Sequence, residues 1–281
     1  MFEKSFIFDS YANRRGKGTF KAILRYDYFA RKVTHNYSCK AYVLKADIQH
    51  YFDEVNHSIL LSLILTKIKD PKVLWLIKVI LNNYSITART GIPLGNLTSQ
   101  FFANIYLHEL DVFVKTKIRA KYYLRYVDDF VLFHPSPLVL EKWKEEIVNF
   151  IRKELMLKLH PNKSKILPLH IGIDFLGLKI FPHHRLLKRK NIRSFHRKFQ
   201  QIHVLYTTKT ITYDSIYNFI EGWCANSKKA NVFKCRTRIL SRFEEKYKHD
   251  ISTKEVNRGL HYYQILKNKN LFLLAFFNCF S

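Results

Sequence analysis

The chain has 281 residues, 47% of them hydrophobic and 15% aromatic, which is enough to bury a sizeable core in more than one subdomain and excludes a disordered polymer. Its 48 Lys and Arg stand against 22 Asp and Glu, a formal charge of +26 spread along the chain, which predicts a polyanionic partner such as nucleic acid, with a basic ribosome-associated protein as the competing reading. No apolar run reaches spanning length, Leu271–Phe280 reading instead as a terminal core segment, and Cys39, Cys224, Cys235 and Cys279 lack metal-finger spacing and read as reduced thiols of a cytoplasmic protein with no membrane partner.

In chain order, Asn13-Arg14-Arg15-Gly16-Lys17-Gly18-Thr19 places two glycines among cations without P-loop spacing, and a helix is expected from about Thr19. Ala41-Tyr42-Val43-Leu44 reads as a short buried strand. Asp47 stands at its end, within Lys45-Ala46-Asp47-Ile48-Gln49-His50-Tyr51-Phe52, where open sheets present ligands. Asn56 is the expected N-cap of a helix whose apolar stripe is Ile59, Leu60, Leu63, Ile64 and Ile68. In Gly91-Ile92-Pro93-Leu94-Gly95-Asn96-Leu97-Thr98-Ser99-Gln100, the glycines permit close backbone approach and Pro93 stiffens the loop. Asn96 or Thr98 caps the next helix, with Phe101, Phe102, Ile105 and Leu110 on its apolar face. A helix N-terminus beside free N–H groups suits a phosphate or nucleotide edge.

Tyr126-Val127-Asp128-Asp129 lies between two β-rich runs, Lys121–Arg125 and Phe130–Phe133, which predicts a hairpin with two acids at its tip. Adjacent carboxylates repel unless a cation lies between them, and a hard divalent ion suits them. An ordinary solvated Asp-Asp turn is the alternative. A helix is expected over 138–155, with Leu140, Trp143, Ile147, Phe150 and Ile151 on one face. Ile173–Ile180 reads as a strand pair with a glycine bend. Residues 183–198 are densely cationic and lead into helices that carry Trp223.

Taken in order, Lys45–Phe52, Gly91–Asn104, Tyr126–Asp129, His160–Lys165 and Ile173–Gly177 resemble the palm and thumb motifs of a reverse transcriptase. The resemblance implies an α+β fold: a right-hand polymerase palm, with a ferredoxin-like antiparallel sheet and packed helices, plus a helical thumb and incomplete fingers. The implied domains are a residual fingers segment (1–40), a palm (41–182) and a thumb with the C-terminal region (183–281). It implies RNA-directed DNA synthesis on two Mg²⁺ ions, with Mn²⁺ as a substitute, held by Asp47, Asp128 and Asp129. Template RNA, a cDNA primer–template duplex and dNTPs are the implied partners.

The same resemblance assigns residue roles. Phe52 is the steric gate against a ribose 2′-hydroxyl. Lys163 lies near the leaving pyrophosphate, with Lys165 as its competitor. Ile48, Gly95 and Gln100 face the nucleotide or template. Arg14, Arg15 and Lys17 touch template backbone, while Phe175, Leu176 and Gly177 approach the primer end. Arg185, Lys188, Arg189 and Lys190 belong to a thumb surface that follows the duplex.

Leu94 before Gly95, with Ser99-Gln100 further on, resembles the enzymes of diversity-generating retroelements, which also implies a small basic accessory protein. Two other readings compete: a group II intron-type enzyme and a nucleic-acid-binding remnant. The family's triphosphate-clamping Lys and Arg lie upstream of Met1, which predicts an internal start, a truncated piece or a degraded gene.

Overall fold

The computed structural model describes residues 2–83, 89–93 and 95–259. Leu94, Leu271–Phe280 and Cys279, invoked above, lie outside the described residues. Two compact units emerge. One runs to Leu176 and includes Ile180–His183; the other takes Gly177–Lys179 and the chain from His184.

The first unit is built on β1 (Tyr42–Asp47), β2 (Tyr122–Tyr126), β3 (Asp129–His134) and β4 (Lys165–Pro168), in the antiparallel order β2-β3-β1-β4. Two long helices connect them: α5 (Leu97–Thr116) between β1 and β2, and α6 (Pro137–Glu154) between β3 and β4. That βαββαβ path is the ferredoxin-like arrangement expected of a palm. Residues of β1 alternate between the two faces of the sheet. Leu44 and Ala46 pair with Leu132 and Phe130 and pack with Leu107, Leu110, Ile147 and Ile151 of α5 and α6 in the main core. Val43, Lys45 and Asp47 point the other way, beside Phe133, Val131 and Asp129. On that side Tyr26 and Phe29 of α1 (Thr19–Val33) meet Phe133, with ring centroids 4.9 and 6.0 Å apart. The N-terminal residues are therefore packed on the sheet rather than set apart from it.

Local chemistry starts the helices where expected. The Asn56 side chain accepts from the amides of Ser58 and Ile59 at the head of α3 (His57–Leu65), after the single-turn α2 (Tyr51–Glu54). Asn96, not Thr98, caps α5 by accepting from the Thr98 amide. Phe102, Ile105 and Leu110 of α5 are buried, but Phe101 is exposed, because it is the neighbour of a core position on a 100° wheel. One helix, α4 (Pro71–Asn82), was not anticipated. Asp70 caps it through the amides of Lys72 and Val73, and Pro71 occupies its first turn, a start signal legible in the sequence.

Short strands β5 (Ile173–Phe175), β6 (Leu178–Ile180) and β7 (Arg185–Leu187) follow. Between β5 and β6, Leu176 and Gly177 both take positive φ, 45° and 84°, the backbone of a tight two-residue turn in which glycine is the natural second residue. The second unit is helical: α7 (Arg189–Thr207), α8 (Tyr213–Ser227) and α9 (Phe233–Lys246). They enclose Phe195, Ile216, Ile220, Phe243 and Tyr247, and Trp223 lies 4.4 Å from the Phe195 ring. Among the described residues no helix is long and apolar enough to cross a membrane.

Candidate active site

Asp47 and the adjacent pair Asp128-Asp129, far from it in sequence, come together at one end of the first sheet. Asp47 ends β1 and Asp129 begins β3, and the two are directly opposite in the β1–β3 register, which sets their Cα atoms roughly 5 Å apart. Asp129 also pairs with Tyr126 across the hairpin, leaving Val127 and Asp128 as its tip. Val127 has φ 55°, a left-handed conformation that a β-branched residue strongly disfavours. Arg125 Nη1 donates to the Val127 carbonyl at 3.0 Å. Tyr126 is fixed by its hydroxyl, 3.0 Å from Thr19 Oγ1 at the start of α1.

Two lysines answer the acids. Lys163 Nζ donates to Asp47 Oδ2 at 2.9 Å. It projects from a turn after His160, whose amide donates to the Asp47 carbonyl at 2.7 Å, and Ser164 Oγ accepts from the Asp47 amide at 3.3 Å. Lys45 Nζ is 3.5 Å from Asp129 Oδ1, an ion contact too long for a good hydrogen bond. Asp129 Oδ1 is buried without a hydrogen-bond partner. Burial raises the Asp129 pKa to about 7, against the lowering effect of Lys45 and with Asp47 and Asp128 adding to the rise. Asp128 is raised chiefly by burial, its own backbone hydrogen bond opposing and Asp47 assisting. Lys163 is raised, first by its hydrogen bond to Asp47.

An oxygen-only donor set with one orphaned buried carboxylate oxygen fits a hard divalent cation. Among the described residues no three His, Cys, Asp or Glu side chains converge as ligands of one ion. Asp47 and Asp129 instead each lean toward a lysine. Lys45 is the residue that sequence reading missed. Its position two residues before Asp47 puts it on the same face of β1, which was the available signal. Lys163, not Lys165, reaches Asp47. Lys165 pairs with Lys45 along the β1–β4 ladder and lines a groove with Glu141 and Lys144 on α6.

The remaining expected residues divide. Phe52 is half-buried against the core, edge-on to Tyr51 with centroids 5.4 Å apart. Its carbonyl accepts from the Ile92 amide at 2.8 Å, and the Gly91 amide donates to the Val55 carbonyl at 2.9 Å. The Gly91–Pro93 segment is thereby strapped beside it. Gly95 is exposed with φ 89°, and Gln100 is half-buried in the first turn of α5. Ile48 is a correction: it is 2% exposed, a core side chain whose apolar character draws it inward and leaves only main chain for a ligand.

Phe175 is likewise fully buried and stacked on Tyr26 at 5.3 Å, so its ring does not face a primer; Leu176 is half-buried. The Gly177 carbonyl accepts from Asn191 Nδ2 at 3.0 Å. Arg14 is not available to a template phosphate, because its guanidinium binds Glu3 and donates to the carbonyls of Ile7 and Ser10. Lys17 donates to the Phe8 carbonyl and lies 3.5 Å over the Phe8 ring, whereas Arg15 is exposed. In the second unit Arg185 is tied to Asn231 and Lys229. Lys188 is half-buried at the N-cap of α7, and Arg189 and Lys190 are exposed in its first turn.

Comparisons with known proteins bear on the family and the fold. The profile of the reverse transcriptase (RNA-dependent DNA polymerase) family matches residues 1–180, more than half of the 281. Protein YkfC of Escherichia coli is 26% identical over 188 residues, covering 53% of this chain and 48% of that protein. The group II intron-encoded protein LtrA of Lactococcus lactis is 42% identical over 78 residues, 25% of this chain and 13% of LtrA. The chain thus spans about half the length of YkfC and far less of LtrA. Telomerase from Candida tropicalis, in a structure with a fragment of telomeric RNA, matches with a TM-score of 0.52 at 15% identity, covering 95% of this chain and 52% of that one. At that identity the likeness is one of fold, an α+β polymerase fold. The chain belongs to the reverse transcriptase (RNA-dependent DNA polymerase) family.

Proposed function

We propose that this chain is an RNA-directed DNA polymerase that extends a primer along a template RNA with dNTPs. The observation that carries the reading is the in-register pairing of Asp47 with Asp129 beside the Asp128 turn, in a chain of this family. Asp47, Asp128 and Asp129 would hold divalent ions, two Mg²⁺ with Mn²⁺ as substitute, which when bound supply electrostatic stabilisation of the transferring phosphoryl group. In the reaction the primer 3′-oxygen bonds to the α-phosphorus, the bond to pyrophosphate breaks, and the hydroxyl proton passes to solvent water. Lys163 is more than half exposed and can turn from Asp47 to the pyrophosphate, donating a proton or charge. Phe52 would exclude a ribose 2′-hydroxyl, and Gly95 and Gln100 would lie along the nucleotide and template. Of the cations assigned above to nucleic acid, Arg15, Arg189 and Lys190 are exposed and suited to backbone phosphates.

Two finer readings follow. Leu94 with Ser99-Gln100 favours a diversity-generating retroelement enzyme working in the cytoplasm with a small basic accessory protein. The similarity to LtrA favours a group II intron-type enzyme. Preferential misincorporation at template adenines supports the first; selective binding of intron RNA with promoted splicing supports the second. The primary test is primer extension on an RNA template with dNTPs and Mg²⁺, beside Asp128→Ala. Synthesis that vanishes in the variant is expected. Tight, salt-sensitive duplex binding with no Asp128-dependent synthesis would leave a nucleic-acid-binding remnant instead.

A further inference from the structure

Arg125 is fully buried, and an unmatched guanidinium would be very costly there. Its five N–H donors each meet an acceptor. Nε and Nη2 form a fork on Asp111, at 2.7 and 2.6 Å, and Nη2 also reaches Ser10 Oγ at 3.3 Å. Nη1 donates to Asn104 Oδ1 at 3.4 Å and to the Val127 carbonyl at 3.0 Å. Asp111 also accepts from the Tyr123 hydroxyl at 2.7 Å. The main chain adds to this anchor, because the Arg125 amide donates to the Asp9 carbonyl and the Tyr11 amide donates to the Arg125 carbonyl, both at 3.0 Å. One guanidinium therefore ties α5, the loop around Ser10 and the β2–β3 turn together.

The hydrogen bond to the Val127 carbonyl satisfies one buried N–H and at the same time extends the Asp111 charge pair to the β2–β3 turn. That carbonyl belongs to the residue just before Asp128, and Val127 sits at φ 55°, where valine does not stay without an external hold. We infer that Arg125 is a positioning residue that clamps the Val127 carbonyl, keeps the turn left-handed, and thereby fixes Asp128 and Asp129 as cation ligands. The inference rests on the proposed polymerase reading for its purpose, but the Mn²⁺-binding arm of its test does not.

The test is Mn²⁺ binding to the full chain, followed by the electron paramagnetic resonance signal of free Mn²⁺, beside the Mg²⁺ dependence of primer extension. Arg125→Lys keeps a charge against Asp111 but brings only three donors to five acceptors. It should weaken Mn²⁺ binding about tenfold and raise the half-saturating Mg²⁺ equally, with the far-ultraviolet circular dichroism unchanged. Adding Val127→Gly should restore part of the loss, since glycine adopts positive φ unaided. Affinity within twofold of wild type, or a loss that Val127→Gly leaves untouched, overturns the clamp. Should Arg125→Lys not fold, Asn104→Asp serves. Its carboxylate draws Nη1 from the Val127 carbonyl, so Mn²⁺ binding should weaken although the added negative charge by itself would tighten it. Unchanged or tighter binding there refutes the clamp. A wild-type chain that binds Mn²⁺ as described yet extends no primer removes the polymerase reading alone.

Discussion

Asp129→Asn should stabilise this protein at alkaline pH in the absence of divalent ions. The Asp129 side chain is 19% exposed and its pKa is raised from 3.8 to about 7, mainly by burial. The folded state therefore holds the proton more tightly than the unfolded state. By linkage, the stability associated with this group is greatest below about pH 4 and is lost as pH rises toward 7, then stays flat. The gap of about three pH units, at about 1.4 kcal/mol each, gives a cost of up to about 4 kcal/mol for the ionised carboxylate above pH 7. Asparagine keeps the shape and stays neutral throughout. Thermal and urea denaturation with chelator present, at pH 4.5 and pH 8.5, should show near-equal stability at the lower pH and a more stable variant at the higher one. Added Mg²⁺ should then stabilise the wild type by mass action and leave the variant nearly unmoved. Parallel pH profiles for the two proteins, or a variant less stable at pH 8.5, would refute the reasoning.

Other outcomes follow from the same contacts. Phe52→Ala should raise rNTP use relative to dNTP by roughly 10- to 200-fold, the range for lost apolar exclusion, measured by competitive primer extension; unchanged discrimination dismisses the gate. Asp111→Ala strands the buried Arg125 guanidinium and should cost about 3–5 kcal/mol, read as a urea midpoint shift; a shift equal to that of an exposed acid such as Glu154 would contradict the burial. Asn56→Ala removes the cap on the Ser58 and Ile59 amides and should cost about 1 kcal/mol, visible as faster hydrogen exchange at the head of α3.

The palm was legible in sequence because its elements are short-range. Tyr42–Leu44 and Phe130–Phe133 read as strands from their β-branched and aromatic content, and the α6 stripe repeats at helical spacing. Asn56 and Asn96 cap through amides two or three residues away, a distance that the eye can span in the sequence. The failures concern residues whose fate depends on distant neighbours. Arg14 reads as a surface cation, yet the carbonyls of Ile7 and Ser10 turn back to meet it. Ile48 and Phe175 sit inside motif-like segments, but both side chains are core.

Sequence alone singled out the residue types that the proposed chemistry would need: two adjacent acids at a hairpin, a third at a strand end, and a positive charge suited to nucleic acid. Those are properties of composition and of neighbours within a few positions. Tertiary structure decided how the acids are held. Register brought Asp47 opposite Asp129, alternation placed Lys45 on their face, and α5 supplied Asp111 and Asn104 to the guanidinium behind Val127. These depend on strands and helices far apart in the chain finding one another, and no local pattern encodes which partner will arrive.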